Sequence, residues 1–460
     1  MNFDIIKKTP LYSAFSKVGK RVFLPQGIFY WADRAKNEAE LIGTIGEAYA
    51  FEHDFIDESS SNWVPCYLEG VKDYLKNLAI DDLVPYSSIP GIKQLRQVWK
   101  DWIIEKSLYN KNNQQEQLNK LINYITMPLI TSGVTNGIFL SCSLFLNPEE
   151  KIIAPNKRWG NYDNIVEKYL GAKIKPFEFF KEQKFNLHSF SDAIDDVAKT
   201  QEKITAIVNF PNNPTGYMPL EDETRDIIDL LVEKQNNLNI PIIVIVDDAY
   251  EPYVFTESPR NKSIFYSLQQ LDEDIIPVKL DGVTKELLIY GARIGFLTIG
   301  LKPSWTKTQE ELNKLNQEVD NILSGFNRII ISNSNHFYQS LVLKLFKEQG
   351  ITNILKMRDK VYNLLKTRYL LINQELSKIE DPNISIDPNS GGFFVFVNLN
   401  PDKIKANEFA DFLLKKYRLG VIPIEKPQEQ VNGIRIAYCS IDLKNIPEFI
   451  KRIKLALKEF

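Results

Sequence analysis

The sequence predicts an α/β fold, with a large domain on a mostly parallel, mixed sheet flanked by helices and a smaller α+β domain beside it. Three observations lead there. From about residue 126, short β-rich runs alternate with longer amphipathic stretches, the rhythm of strand–helix–strand units. The run Ile240-Pro-Ile-Ile-Val-Ile-Val246 is almost wholly apolar, which suits a strand buried on both faces of a parallel sheet. After about Arg328 the rhythm changes to one long helical region followed by separate strands.

In order, Thr126–Thr131 reads as a strand, followed by a helix from Asn136. Lys151–Pro155 is a second strand, with a helix through Tyr169. Ile204–Phe210 ends in a turn rich in Pro and Asn, before a helix over Leu220–Glu233. Ile240–Val246 follows, and two further strands, Ile275–Leu280 and Ile294–Ile299, flank Lys285. Beyond Arg328 come a helical region over Lys344–Glu375, strands at Gly391–Val397 and Gly433–Ala437, and a closing helix at Ile446–Glu459. The expected division is 1–60 joining the small domain, 61–325 as the large domain and 326–460 as the small C-terminal domain. The polar patch Asn110–Gln117 reads as a solvated loop or helix end.

The chain of 460 residues is long enough for a large core and two domains. Its 44% hydrophobic and 25% charged residues are ordinary for a soluble globular protein. A net charge of −3 gives no electrostatic case for nucleic acid or an anionic membrane. The N-terminus lacks the apolar core of a signal peptide, and no stretch approaches the roughly 20 apolar residues of a membrane span. Three scattered histidines argue against a His-based metal site, so no metal is expected. Cys66, Cys142 and Cys439 are far apart and without metal spacing, which suits a reduced, cytoplasmic setting.

Four groups stand in an informative order: Asn213-Pro-Thr-Gly, Asp247-Asp-Ala-Tyr250, Lys285 and Arg293. Ligands of α/β sheets sit at the carboxyl ends of strands, and Asn213 and Asp247 fall just past such ends. A carboxylate closing a run as apolar as Ile242–Val246 is costly to bury without a cationic or hydrogen-bonded partner. The set matches the needs of a pyridoxal phosphate site. A lysine amine forms a Schiff base with the aldehyde, and an arginine holds the phosphate. A carboxylate keeps the ring nitrogen protonated, while an Asn and a Tyr hydrogen-bond the ring hydroxyl. Taken singly, each residue has an ordinary reading as a turn, a helix cap or a surface lysine.

Together these residues resemble fold-type I pyridoxal-phosphate enzymes, most closely the class I and II aminotransferases, over nearly the whole chain. The resemblance implies an aspartate-aminotransferase-like fold and pyridoxal 5'-phosphate bound covalently through Lys285. Tyr86, five positions before Gly91, resembles the tyrosine that reaches the cofactor phosphate of the neighbouring subunit in a homodimer. Ser132-Gly-Val-Thr-Asn-Gly137 resembles the glycine turn that holds phosphate at a helix N-terminus, with Gly133, Val134 and Thr135 at its centre. Trp159, in Arg158-Trp-Gly-Asn-Tyr162, corresponds to the aromatic residue stacked on the pyridine ring. Asn213, Asp247, Tyr250, Lys285 and Arg293 fall on the remaining cofactor positions. Arg435, in Gly-Ile-Arg-Ile-Ala, matches the arginine that pairs with the substrate α-carboxylate, and Gly46 the small residue beside the substrate. Arg328, in Asn327-Arg-Ile-Ile-Ile-Ser-Asn333, resembles the arginine that reaches the partner's site and binds a distal carboxylate; its ordinary reading is a surface arginine at a helix start.

The sequence also departs from the family. Many members carry a serine three positions before the lysine, where this chain has Gly282; Thr284 is the substitute hydroxyl. The stretch from Arg293 to Arg328 is longer than in the aspartate enzymes, which blurs register through Pro303–Ser324. The resemblance implies transfer of the amino group of an L-amino acid to a 2-keto acid, 2-oxoglutarate if Arg328 matches, by a ping-pong reaction. A β-lyase, decarboxylase or synthase of the same fold would use the same cofactor residues. A non-catalytic ligand-sensing module is the remaining alternative. It would need a basic DNA-binding domain ahead of Gly46, and the residues there are few and not notably basic.

Overall fold

Seven strands form the sheet of the large domain: β1 (Leu129–Thr131), β2 (Lys151–Pro155), β3 (Lys173–Phe177), β4 (Ile204–Asn209), β5 (Ile242–Asp247), β6 (Ile275–Gly282) and β7 (Gly295–Ile299). Their spatial order is β1-β7-β6-β5-β4-β2-β3. The computed structural model describes residues 5–24, 27–56, 60–108, 115–256 and 263–460. Strands β2 to β6 pair in parallel, and β7 is antiparallel to both β6 and β1. Every residue of β4 and β5 is buried, as their unbroken apolar runs require.

This topology brings one end of the sheet to a common edge. Asp247 is in register with Asn209 of β4 and Leu280 of β6. Because β7 runs backwards, its first residue Gly295 pairs with Gly282 and with Thr131, the last residues of β6 and β1. The segments before β7 and after β1, β4, β5 and β6 therefore meet at one place, the usual location of a ligand in an α/β sheet.

Helices α1 (Ile28–Glu38), α2 (Lys93–Leu108), α3 (Val134–Phe145), α4 (Glu221–Leu238), α5 (Gln309–Ile330), α6 (His336–Leu376) and α7 (Ile446–Glu459) surround the two sheets. Within α6, Gly350 adopts φ 66° and ψ 164°, so the stretch is two helices meeting at a break that glycine tolerates. The smaller sheet is antiparallel: β8 (Ile384–Ile386), β9 (Val395–Leu399), β10 (Ile422–Lys426) and β11 (Val431–Ile436), in the order β8-β9-β11-β10. Leu41–Ile42 pairs in parallel with Leu419–Gly420, attaching the N-terminal segment to this part of the chain.

The strands expected at Lys151–Pro155 and Ile275–Leu280 and the closing helix Ile446–Glu459 appear where the sequence puts them, with β6 running on to Gly282. Three differences bear on the site. Helix α3 begins at Val134 and not Asn136, because Gly133 at φ 81° supplies the turn into it. Residues 391–394 stand outside the strand expected over Gly391–Val397, since Gly391 bridges to Val254 instead of the small sheet. The long stretch after Arg293 is filled by α5, and Arg328 lies in its last turn and not at a helix start. Of the polar patch, residues 110–114 lie outside the described residues, and a helix starts at Gln115.

Candidate active site

At the common strand edge is a cavity of about 480 Å³. Into it face Val134, Thr135, Trp159, Asn213, Asp247 and Tyr250, with Gly282, Thr284, Lys285 and Arg293 on the side of β6 and β7. The far wall is built by Gly46, Phe394 of β9's approach, Arg435 of β11, and Ile28, Phe29 and Ala32 of α1. Of the residues singled out from sequence, Gly133, Tyr86 and Arg328 do not line it. Tyr86 is 91% exposed, and the Arg328 guanidinium donates to Ser332 Oγ on the surface.

Asp247 forms the floor. It is buried, accepts from Tyr162 Oη at 2.5 Å and from the backbone N–H of Ala249 at 3.2 Å, and has no cationic partner among the described residues. Burial raises its carboxyl to about 6, with the two hydrogen bonds opposing. Such a group gains from a cationic N–H donor arriving in the cavity. Tyr162 was quoted in the sequence motif but given no role; nothing in the sequence shows that the residue three after Trp159 reaches β5. Asn209 was missed as well. Its amide donates to the Asp247 carbonyl at 2.7 Å, and its Oδ1 accepts from the Asn213 backbone at 2.7 Å, fixing both residues.

Lys285 sits in the short helix Val283–Glu286 directly after β6. Its Nζ donates to the Gly46 carbonyl at 2.8 Å and lies 4.9 Å from the Tyr290 ring centre. Burial pushes the ammonium down to about 8, so far more of it is free amine at neutral pH than in a solvated lysine. A side chain at Gly46 would come within 2.6 Å of the Phe394 ring, so glycine is what lets this backbone pack against Phe394.

The cavity mouth is anion-seeking. Gly133 gives α3 a free N-terminus, whose N–H groups and dipole favour phosphate. Arg293, itself left-handed at φ 54°, lays its guanidinium where a Gly133 side chain would be, 2.6 Å from an ideal Cβ. Gly282 explains one departure from the family. A Cβ there would lie 2.8 Å from the Ile294 carbonyl oxygen and 2.9 Å from Gly295 Cα, so no serine fits. Thr284, next to Lys285, lines the cavity, as do Thr135 and Tyr250.

On the opposite wall Arg435 is buried, stacked 4.2 Å from the Phe394 ring centre. Its Nη1 donates to Asn213 Oδ1 at 3.0 Å and its Nη2 to the Thr44 carbonyl at 2.7 Å, while Nε has no partner among the described residues. Burial lowers it to about 10, so it stays charged at neutral pH. A buried guanidinium without a carboxylate, facing a cavity, is built for an incoming anion.

These groups fit pyridoxal 5'-phosphate. Asp247, without a cationic partner among the described residues, suits the ring nitrogen, and the α3 N-terminus with Arg293 suits the phosphate. Lys285 lines the same cavity, as does Trp159, whose ring is edge-on to Tyr162 at 5.7 Å. Comparison with known proteins agrees. Residues 69–453 match the family model described as aminotransferase class I and II. The aromatic-amino-acid aminotransferase 2 of Thermococcus litoralis is 24% identical over 399 residues, covering 85% of this chain and 88% of that one. An aminotransferase structure from Anaerococcus prevotii superposes with a TM-score of 0.78 at 22% identity, covering 96% of this chain and 98% of the other. Aspartate aminotransferase of Thermus thermophilus gives 0.69 at 17% identity, covering 96% and 99%. The chain has the aspartate-aminotransferase-like fold and belongs to the class I and II aminotransferases, the pyridoxal-phosphate-dependent transaminases.

Proposed function

We propose that the protein transfers the amino group of an L-amino acid to a 2-keto acid by a ping-pong reaction, with Lys285 as the base and cofactor anchor. One observation carries this reading: the Lys285 amine, the Asp247 carboxylate and the Arg435 guanidinium converge on one cavity. Bound pyridoxal phosphate supplies an electron sink for the carbanion left at Cα. Asp247 holds a proton at the ring nitrogen. Arg435 pairs with the substrate α-carboxylate, and so keeps that carboxylate out of the position from which carbon dioxide would leave. The Lys285 amine would take the Cα proton and return it to the aldehyde-derived carbon of the cofactor, on the other side of the amino nitrogen.

Ile28, Phe29, Ile45 and Phe394 make the substrate wall apolar, which favours a donor with an apolar side chain, aromatic ones included. The name of the Thermococcus relative points the same way. We assign 2-oxoglutarate as acceptor, its distal carboxylate met by the partner subunit's Arg328. A panel of amino donors against 2-oxoglutarate, with Arg328→Ala in parallel, tests this. The expected result is a keto acid product, and a selective loss of about 10-fold or more in kcat/KM for dicarboxylic partners with apolar donors spared. Ammonia or carbon dioxide as product would indicate a lyase or decarboxylase. An equal loss for all partners would make Arg328 structural.

The same reading makes the enzyme a homodimer with shared sites. Exposed Tyr86, Val84 and Ile329, at 91%, 70% and 85%, support it, because apolar groups so open are costly without a covering surface. Tyr86→Phe is expected to weaken cofactor retention by about 0.5–1.5 kcal/mol, one hydroxyl hydrogen bond, without loss of fold. Equilibrium dialysis measures this, and a fully active monomer by light scattering would overturn the assignment. Among the described residues no helix is long and apolar enough to cross a membrane. Three buried cysteines, all unpaired, support a reducing, cytoplasmic location.

A further inference from the structure

Behind the cavity wall lies a second set of ionisable groups with no part in the chemistry just described. Asp248, Glu251, Asp281 and Glu286 are all buried. Each is adjacent in sequence to a residue that lines the cavity: Asp247, Tyr250, Gly282 and Lys285. The backbone thus presents one side chain to the cavity and its neighbour to a charged layer behind it.

Two lysines hold that layer together, with Arg358 3.7 Å from Glu286. Lys279, within β6, bridges Asp248 and Glu251, the latter at 2.8 Å. Lys106 of α2 reaches Glu251 at 2.8 Å, Asp281 at 3.3 Å and Glu286 at 2.7 Å. Its ammonium donates to Glu251 and Asp281 and forms an ion pair with Glu286, so one cation meets carboxylates from three cavity-bearing segments. The ligand oxygens of these carboxylates lie within 4.8 Å of one another, a spacing a metal ion would accept, but the ammonium already sits among them. The same helix face adds two indoles. Trp99 Nε1 donates to Asp281 at 2.9 Å and Trp102 Nε1 to Glu286 at 2.6 Å. Trp99, Trp102 and Lys106 are spaced three and four apart, so they form one stripe of α2 aimed at the layer. Burial works to raise Glu251, yet Lys106 and Lys279 hold it well below the usual carboxylate range.

We propose that Lys106 is a positioning residue for transamination: by gripping Glu251, Asp281 and Glu286 it fixes the separation of Lys285 from Asp247. This rests on the role given to Lys285 above. Among the described residues no other group ties the Lys285 turn, the end of β6 and the loop after Tyr250 at one point, and misplacement of catalytic groups by about 1 Å can cost about 100-fold in rate. Lys106 touches neither cofactor nor substrate; its effect passes through backbone.

The test uses wild type, Lys106→Met, Glu286→Gln and the double variant. Glu286→Gln is isosteric and retains an oxygen for Trp102, so it decides the matter should Lys106→Met not fold. Apoproteins are titrated with pyridoxal 5'-phosphate by visible absorbance, melted in parallel, and the loaded enzymes assayed for kcat and KM. The expected result is a rise in cofactor Kd and a fall in kcat of about 10- to 100-fold in each folded variant, with donor KM little changed. The double variant should be no worse than Lys106→Met, because the Lys106–Glu286 contact is among those that Lys106→Met already removes. Folded variants that match wild type in Kd and kcat overturn the proposal, as does a loss confined to melting temperature or to KM. A wild type that binds no pyridoxal phosphate overturns the functional reading, and this one with it.

Discussion

Replacing Lys285 with alanine is expected to abolish transamination, by at least about 10⁴-fold in kcat, since one change removes both the covalent anchor and the base. The visible absorbance of the lysine-bound cofactor should vanish from the purified variant. Folding should survive. The side chain makes one hydrogen bond, to the Gly46 carbonyl, and its ammonium is held in the protein against a burial penalty. Residual binding of the cofactor through Arg293 and the α3 N-terminus is expected, because those contacts are independent of the amine. Unchanged absorbance and turnover in Lys285→Ala would remove this residue from the reaction.

Much of this site was legible because it lies on the most regular part of the chain. Ile204–Asn209 and Ile242–Asp247 are short, mostly apolar runs closed by polar residues, and a parallel sheet collects such ends on one edge. Asp247 stood out because it ends a run that is otherwise wholly apolar. Arg293 could be paired with Gly133 only through family order. Their approach depends on β7 running antiparallel between β6 and β1, a register no local pattern encodes.

What stayed hidden is tertiary in origin. Tyr162 reads as an aromatic residue in a turn-rich segment; only the packing of its helix against the sheet brings its hydroxyl to Asp247. The α1 helix contributes Ile28, Phe29 and Ala32 from a stretch whose hydrophobic pattern says nothing of a cavity some 250 residues away in sequence. Lys106, with Trp99 and Trp102, did leave a signal, a cation and two indoles on one helix face. Its meaning depends on acidic partners from Glu251 to Glu286, more than a hundred residues further along. The serine replaced by Gly282 was visible as a departure, and its cause, the approach of Ile294 and Gly295, was not.

Asp247→Asn should separate activity from stability in opposite directions. Turnover is expected to fall by about 10²–10³-fold, the usual loss when one preorganised charge is removed from a site, since a neutral amide cannot hold a protonated ring nitrogen. The apoprotein should become more stable. Burial raises the Asp247 carboxyl from 3.8 to about 6 in the folded chain. A group whose folded value is raised contributes stability that is fully present below the unfolded value and lost as pH rises through the folded one. Across this interval the wild-type apoprotein therefore loses about 3 kcal/mol that the amide variant keeps. The gap should be near zero at pH 4 and complete above about pH 6, and urea titrations of both apoproteins at several pH values would measure it. Adding pyridoxal phosphate should reverse the order, because the cofactor's ring nitrogen gives the wild-type carboxylate the cationic partner it lacks. A variant that is no more stable at pH 7 than wild type, or a gap that does not close on acidification, would mean that Asp247 is not held as a buried, unpartnered carboxylate awaiting a cation.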